Sequence, residues 1–185
     1  MVWNNSKNSW GWTSILFHWL TAVTVFTLFG LGLWMVELTY YDDWYKKGPD
    51  LHRAIGVLLF ILTTLRLIWR RSQPAPEPPA NHQRWEVRLA HTVHALLYLL
   101  LFTIMFSGYL ISTADSRGVD IFGLFTIPAT ITSIPQQEEV AGVVHFYLAS
   151  SLIGLVILHA AGAIKHHVID KDNTLIRMIK PTKKL

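Results

Sequence analysis

Four apolar stretches, each long enough to cross a lipid bilayer, constrain this 185-residue chain more than anything else in it. They are Ser14–Glu37, Leu51–Arg70, Leu89–Thr113 and Val140–Ile164. A spanning helix needs about 20 mostly apolar residues, because no water in the hydrocarbon can satisfy an open backbone. Charged residues make up 15% of the chain, below the roughly 25% of soluble domains. Mean hydropathy is +0.33. These runs leave little chain for a soluble domain. The expectation is one all-α domain over residues 1–185, a four-helix transmembrane bundle with helices near 14–37, 51–70, 89–113 and 140–167.

The chain has no cysteine, which excludes disulfides, Cys-ligated iron–sulfur clusters and covalently attached haem. The first apolar run is too long for a signal-peptide core and is followed by Glu37-Leu38-Thr39-Tyr40-Tyr41. It reads as a retained anchor. Net charge is +4, with the base unevenly placed. Lys7, Arg66, Arg70, Arg71, Arg84, Arg88, Lys165, Lys171, Arg177, Lys180, Lys183 and Lys184 fall on one side, 12 of 16 basic residues. Lys46, Lys47, Arg53 and Arg117 fall on the other. The positive-inside rule then puts both termini and the second connection in the cytoplasm. Trp34, Tyr40, Tyr41, Trp44 and Tyr45 fit the outer aromatic belt. Pro74, Pro76, Pro78 and Pro79 make Ser72–Asn81 a stiff non-helical connector. The apolar segment from Ala114 to Glu139 is expected on the outer surface, as a cap or as an interfacial hairpin.

Nine histidines are many for a membrane chain, and an imidazole in hydrocarbon is a functional hypothesis by default. His145 and His159 share the last apolar run, 14 residues apart. A helix returns to within about 40° of the same face over that interval, roughly 21 Å further along. Two imidazoles at two depths on one face suit two haems stacked across the membrane, each taking one axial ligand from this helix. The outer level offers His52 as the partner of His145. The inner level offers His18, or His94 as its rival, as the partner of His159. With no cysteine available, any haem is b-type, so the expected cofactors are two haem b.

The same interval recurs elsewhere. Gly32 follows His18 by 14 residues and Gly108 follows His94, which lets a flat macrocycle approach the backbone. Arg66 follows His52 by 14 residues, a cation suited to a haem propionate, with snorkelling to the interface as the plainer alternative. His166 lies seven residues beyond His159, where an imidazole can bond a quinone carbonyl and pass a proton. Lys165 beside it is the second candidate contact for the quinone head group; a headgroup anchor is the alternative for both. His82 and His167 read as solvated or interfacial. A histidine-lined metal transporter would need acidic residues within the spans, and only Glu37 at a boundary qualifies.

Several segments carry a likeness to a known family. Phe17-His18-Trp19-Leu20, Leu51-His52, Leu89-Ala90-His91 with His94, Leu158-His159-Ala160-Ala161, Lys165-His166-His167 and Lys171-Asp172-Asn173-Thr174-Leu175 resemble, in that order, the bacterial cytochrome b561 family. The likeness covers nearly the whole chain. It implies a four-helix bundle with two b haems, His52 and His145 on the outer one and His18 and His159 on the inner one. It implies electron exchange with ubiquinone near the cytoplasmic face, and in some members oxidation of superoxide at the periplasmic face. Arg53, Lys46 and Lys47 suit an anion there, and Asp42, Asp43 and Asp50 dilute the field. The other role this resemblance implies is that of a cytochrome b anchor subunit in a larger membrane dehydrogenase or hydrogenase.

Overall fold

The computed structural model describes residues 2–79 and 81–182. Lys183 and Lys184, which count in the charge bias, lie outside them. Helix α1 spans Trp12–Met35, α2 Lys47–Ser72, α3 Arg84–Thr113 and α4 Gln137–Val168. All four are long and apolar enough to cross a membrane. A short hairpin, β1 (Val119–Ile121) with β2 (Phe125–Ile127), lies between α3 and α4, and a single 3-10 turn, Ile176–Met178, follows α4.

Each helix begins before its apolar run, for local reasons. α2 takes in Gly48-Pro49-Asp50 within its first turns. Proline is at home in a first helical turn, where its missing N–H has no partner to lose. α3 starts at Arg84, where the Glu86 carboxylate accepts the Gln83 backbone N–H at 2.9 Å, half of a capping box. α4 starts at Gln137, a buried side chain whose Nε2 donates to the Leu110 and Ile131 carbonyls.

Each helix also carries one stripe less exposed than its other faces. On α1 it runs Ile15, His18, Thr21, Val25, Leu28, Gly32. On α4 it runs Ala141, His145, Leu148, Leu152, His159, His166. His52, Leu59 and Arg66 share such a stripe on α2, as do His94, Leu101 and Gly108 on α3. The steps of three and four average to seven per two turns, so a 14-residue interval keeps its face. The opposite face of α1 shows Leu16, Leu20, Val23 and Phe26 at 51–60% exposure. A stripe of that size is a liability in water and the expected surface in lipid.

The chain forms two compact units, and every helix gives one part to each. One holds the residues up to Ala22, Leu62–Tyr98, and those from Ile153 onward; the other holds Val23–Ile61 and Leu99–Leu152. In the first, Asn5 organises the N-terminal segment: its Oδ1 accepts from the Gly11 N–H and the Ser14 hydroxyl, and Ser14 Oγ accepts from Trp69 Nε1. Arg177 donates to the Glu77 and Asn8 carbonyls, which ties the proline connector and N-terminal segment to the C-terminal one.

In the second unit the segment after α3 carries a short antiparallel hairpin. Val119 and Ile121 are buried with Ala54, and Val57, Tyr109 and Ile127 pack against them. The turn passes through Phe122 and Gly123, both at positive φ, as a primed turn requires. A Cβ on Gly118 would lie 2.6 Å from Thr126 Cγ2 and 2.7 Å from the Ile127 carbonyl oxygen. Gly118→Ala is therefore expected to destabilise the protein by about 1–3 kcal/mol, the usual range for overpacking. A lowered thermal midpoint in detergent checks it; an unchanged midpoint would mean that the hairpin yields freely.

Candidate functional site

Two of the histidine pairs have both rings on the spanning helices and similar separations, one pair in each unit. His52 of α2 and His145 of α4 have ring centroids 6.2 Å apart and planes inclined by 69°. His18 of α1 and His159 of α4 are 6.3 Å apart at 60°. An imidazole nitrogen sits about 2 Å from a metal it ligates and about 1.1 Å from its own ring centre. Two axial imidazoles on one iron therefore hold their centroids roughly 6.3 Å apart. Both pairs meet that requirement.

The surroundings of His52 and His145 fit a flat, ligated group. A Cβ on Gly32 would lie 3.3 Å from His52 Cε1, and one on Gly108 would lie 3.2 Å from His145 Cε1. Each ring thus lies against backbone that lacks a side chain. His145 Nδ1 is 3.0 Å from the Ile104 carbonyl and 3.1 Å from Ser107 Oγ. A carbonyl only accepts, so Nδ1 carries the proton and Nε2 keeps a free lone pair, the tautomer a ligand needs. Ser107 Oγ donates to the same carbonyl at 2.8 Å and so accepts from His145. His52 Nδ1 is buried without a hydrogen-bond partner, an orphaned atom of the kind a ligated ion satisfies.

The other pair has company. His94 of α3 stands 5.2 Å from His159, about 1 Å closer than two rings sharing an iron. Arg66 of α2 donates from Nη2 to His18 Nδ1 at 3.0 Å, and its guanidinium lies 5.5 Å from the Tyr98 ring centre. Arg70 lies 5.7 Å from the same ring. A guanidinium cannot accept, so this contact puts the neutral His18 proton on Nε2. Ligation through Nε2 requires that proton to move and Arg66 to turn to another acceptor, and a carboxylate of the bound group suits it.

Beyond the histidine pairs, the end of α4 holds a polar network within the first unit. Lys165 Nζ donates to Glu86 Oε1 at 2.9 Å and Asp170 Oδ2 at 2.7 Å. His166 stacks on His82, centroids 4.3 Å apart and planes 27° apart. His82 Nε2 is 2.7 Å from Asp172 Oδ2. Lys165 holds the Asp170 carboxyl below the usual carboxylate range. Burial pulls Asp172 the other way, but bonds from the Thr174 N–H and His82 outweigh it, and its pKa is lowered too. His82 is thus largely enclosed and paired rather than solvated, a partnership invisible to a reading by depth because its partners lie 84 and 90 residues away. His167 is exposed, as its position suggests.

The family model described as prokaryotic cytochrome b561 matches residues 9–181. The chain is 46% identical over 179 residues to cytochrome b561 homolog 2 of Escherichia coli (strain K12), covering 97% of this chain and 95% of that protein. It is 28% identical over 183 residues to cytochrome b561 homolog 1 of the same organism, covering 93% and 97%. It is 27% identical over 163 residues to a probable superoxide oxidase CybB of Yersinia pestis, covering 88% and 90%.

Proposed function

The chain belongs to the prokaryotic cytochrome b561 family of multi-pass membrane cytochromes, and from that premise we propose that it is a di-haem electron conduit. It carries electrons across the bacterial inner membrane between a periplasmic one-electron partner and the ubiquinone pool. His52 and His145 would hold one haem b, and His18 and His159 the other. The observation that supports this most is the pair of ring separations, 6.2 and 6.3 Å. His94 at 5.2 Å from His159 makes the poorer partner. Bound haem would supply one-electron redox chemistry, held by these histidines.

The chain's own groups set the terms of binding. The Ile104 carbonyl fixes the His145 tautomer. Gly32 and Gly108 keep the ring edges clear. Arg66 is placed to exchange its bond to His18 for one to a propionate. At the end of α4, His166 has Nδ1 beside the Asp170 carboxylate, and its other ring nitrogen is assigned to the quinone head group. Lys165, already held by Glu86 and Asp170, positions that corner. The lysine-rich C-terminal segment favours the cytoplasmic side for it.

The periplasmic partner is the finer question. The name of the Yersinia pestis relative brings superoxide forward as a donor. Near His52, Arg53 is paired with Asp50, and Arg117 with Asp115, so the local cations are partly neutralised. The test is purified protein with a defined haem content. Two haems per chain are expected, with His18→Ala losing one and His94→Ala retaining both. Quinol must reduce the protein, and an enzymatic superoxide source reduces it only if superoxide is the donor. Haem loss from His94→Ala with none from His18→Ala would reverse the inner assignment. A stable partner dehydrogenase that co-purifies, with no reduction by quinol alone, would favour an anchor subunit.

A further inference from the structure

Outside the haem-facing histidines, His82, His166 and Asp172 converge. Each offers one ligand atom, and the three atoms lie within 4.8 Å of one another. His82 comes from the connector before α3, His166 from the last turn of α4, and Asp172 from just after it. His82 Nε2 is 2.7 Å from Asp172 Oδ2, and His166 Nδ1 is 3.6 Å from that same oxygen. Their side chains are 11%, 17% and 6% exposed.

We propose that His82, His166 and Asp172 form a binding site for one divalent transition-metal ion of the zinc class. Two imidazole nitrogens and one carboxylate oxygen make a borderline set, suited to zinc, nickel or copper and unsuited to calcium or magnesium. Ligands on a tetrahedral zinc ion stand about 3.3 Å apart, from bonds of about 2.0–2.1 Å. The two contacts to Asp172 Oδ2 straddle that value.

Hydrogen bonding alone accounts poorly for the arrangement. His166 Nδ1 lies 2.7 Å from Asp170 Oδ2, yet it is buried with no properly directed hydrogen bond. An imidazole nitrogen held against carboxylate oxygens has a proton or a metal ion between them, and His82, His166 and Asp172 offer the metal ion three ligand atoms at once. Two face-stacked imidazoles sharing one carboxylate also repel if both are protonated, whereas one metal ion satisfies both. The support around the ligands is in place. Asp172 Oδ1 accepts the Thr174 backbone N–H at 2.8 Å, which leaves Oδ2 to the histidines. The Asp172 N–H donates to the His166 carbonyl at 3.1 Å, which fixes the two ligands relative to each other. Asp170 or water completes the shell. Asp172, with Asn81, lines a cleft of about 560 Å³. It also carries Lys7, Lys171 and Arg177, so selectivity rests with the three ligands and not with the field of the cleft. Ligation through Nδ1 keeps the proton of His166 on Nε2. A site of this kind clamps the proline connector to the end of α4.

Equilibrium dialysis of the haem-loaded protein against zinc, read by elemental analysis, tests this independently of the conduit reading, because the haem spectrum is recorded on the same sample. One zinc per chain is expected beyond the iron. His82→Ala and Asp172→Asn are each expected to weaken binding at least tenfold with the haem spectrum unchanged, while His167→Ala leaves it intact. On the unmodified chain, zinc is also expected to protect His82 and His166 from carbethoxylation mapped by mass spectrometry, which serves if a variant misfolds. No stoichiometric zinc, or zinc held equally by His82→Ala and Asp172→Asn, overturns the site.

Discussion

His145→Ala and His159→Ala are each expected to reduce the haem content from two per chain to one, and each variant loses a different haem. A pyridine haemochrome assay counts them. A redox titration of the absorption spectrum is expected to show one step in place of two, and the step that remains differs between the variants. The reasoning rests on separate neighbourhoods. His145 faces His52 within one unit, and His159 faces His18 within the other. Each pair has its own supporting contacts, Ile104, Ser107, Gly32 and Gly108 around the first and Arg66 around the second. Removing one imidazole strips an axial ligand from one site and touches nothing at the other. Because ligation contributes to folding, a lower thermal midpoint accompanies each loss. Two haems retained in either variant would remove that histidine from the ligand set.

Gly108→Leu and Gly32→Leu are expected to empty the site of His52 and His145 while the other haem stays bound. Leucine favours a helix over glycine by roughly 1 kcal/mol, so the helices themselves gain by the change. The damage comes from space. The first added carbon already lies 3.2 Å from His145 Cε1 or 3.3 Å from His52 Cε1, and three more carbons follow. The ring must swing away, and for His145 that breaks the bond to Ile104. Overpacking of about 1–3 kcal/mol corresponds to a roughly 5- to 150-fold weaker haem site. Gly108→Ala, with only the first carbon, is the graded control and is expected to fall between. Equal loss of both haems would show a general folding defect; no loss would show that neither glycine borders a bound group.

The comparison of the two histidine levels shows where sequence stops. Depth alone leaves His94 as a rival to His18 for His159, because both stand near the start of an apolar run; it is the family resemblance that implies His18. Rotation about each helix, set by which side chains pack, makes one ring 6.3 Å distant and the other 5.2 Å. Arg66 is similar. Its 14-residue offset from His52 marks a cation at the second level, but its hydrogen bond to His18 depends on the approach of α1 to α2 within the first unit.

By itself the sequence determined the four spanning helices and the faces that carry the histidines. Length and apolarity suffice for the first, since lipid leaves the backbone no other way to satisfy its hydrogen bonds. A 14-residue interval suffices for the second, since it is a whole number of heptads along a packed stripe. Tertiary structure alone decided where the hairpin before α4 packs and the meeting of His82, His166 and Asp172. Both depend on contacts between residues far apart in the chain, where no local periodicity records which side chain will arrive opposite another.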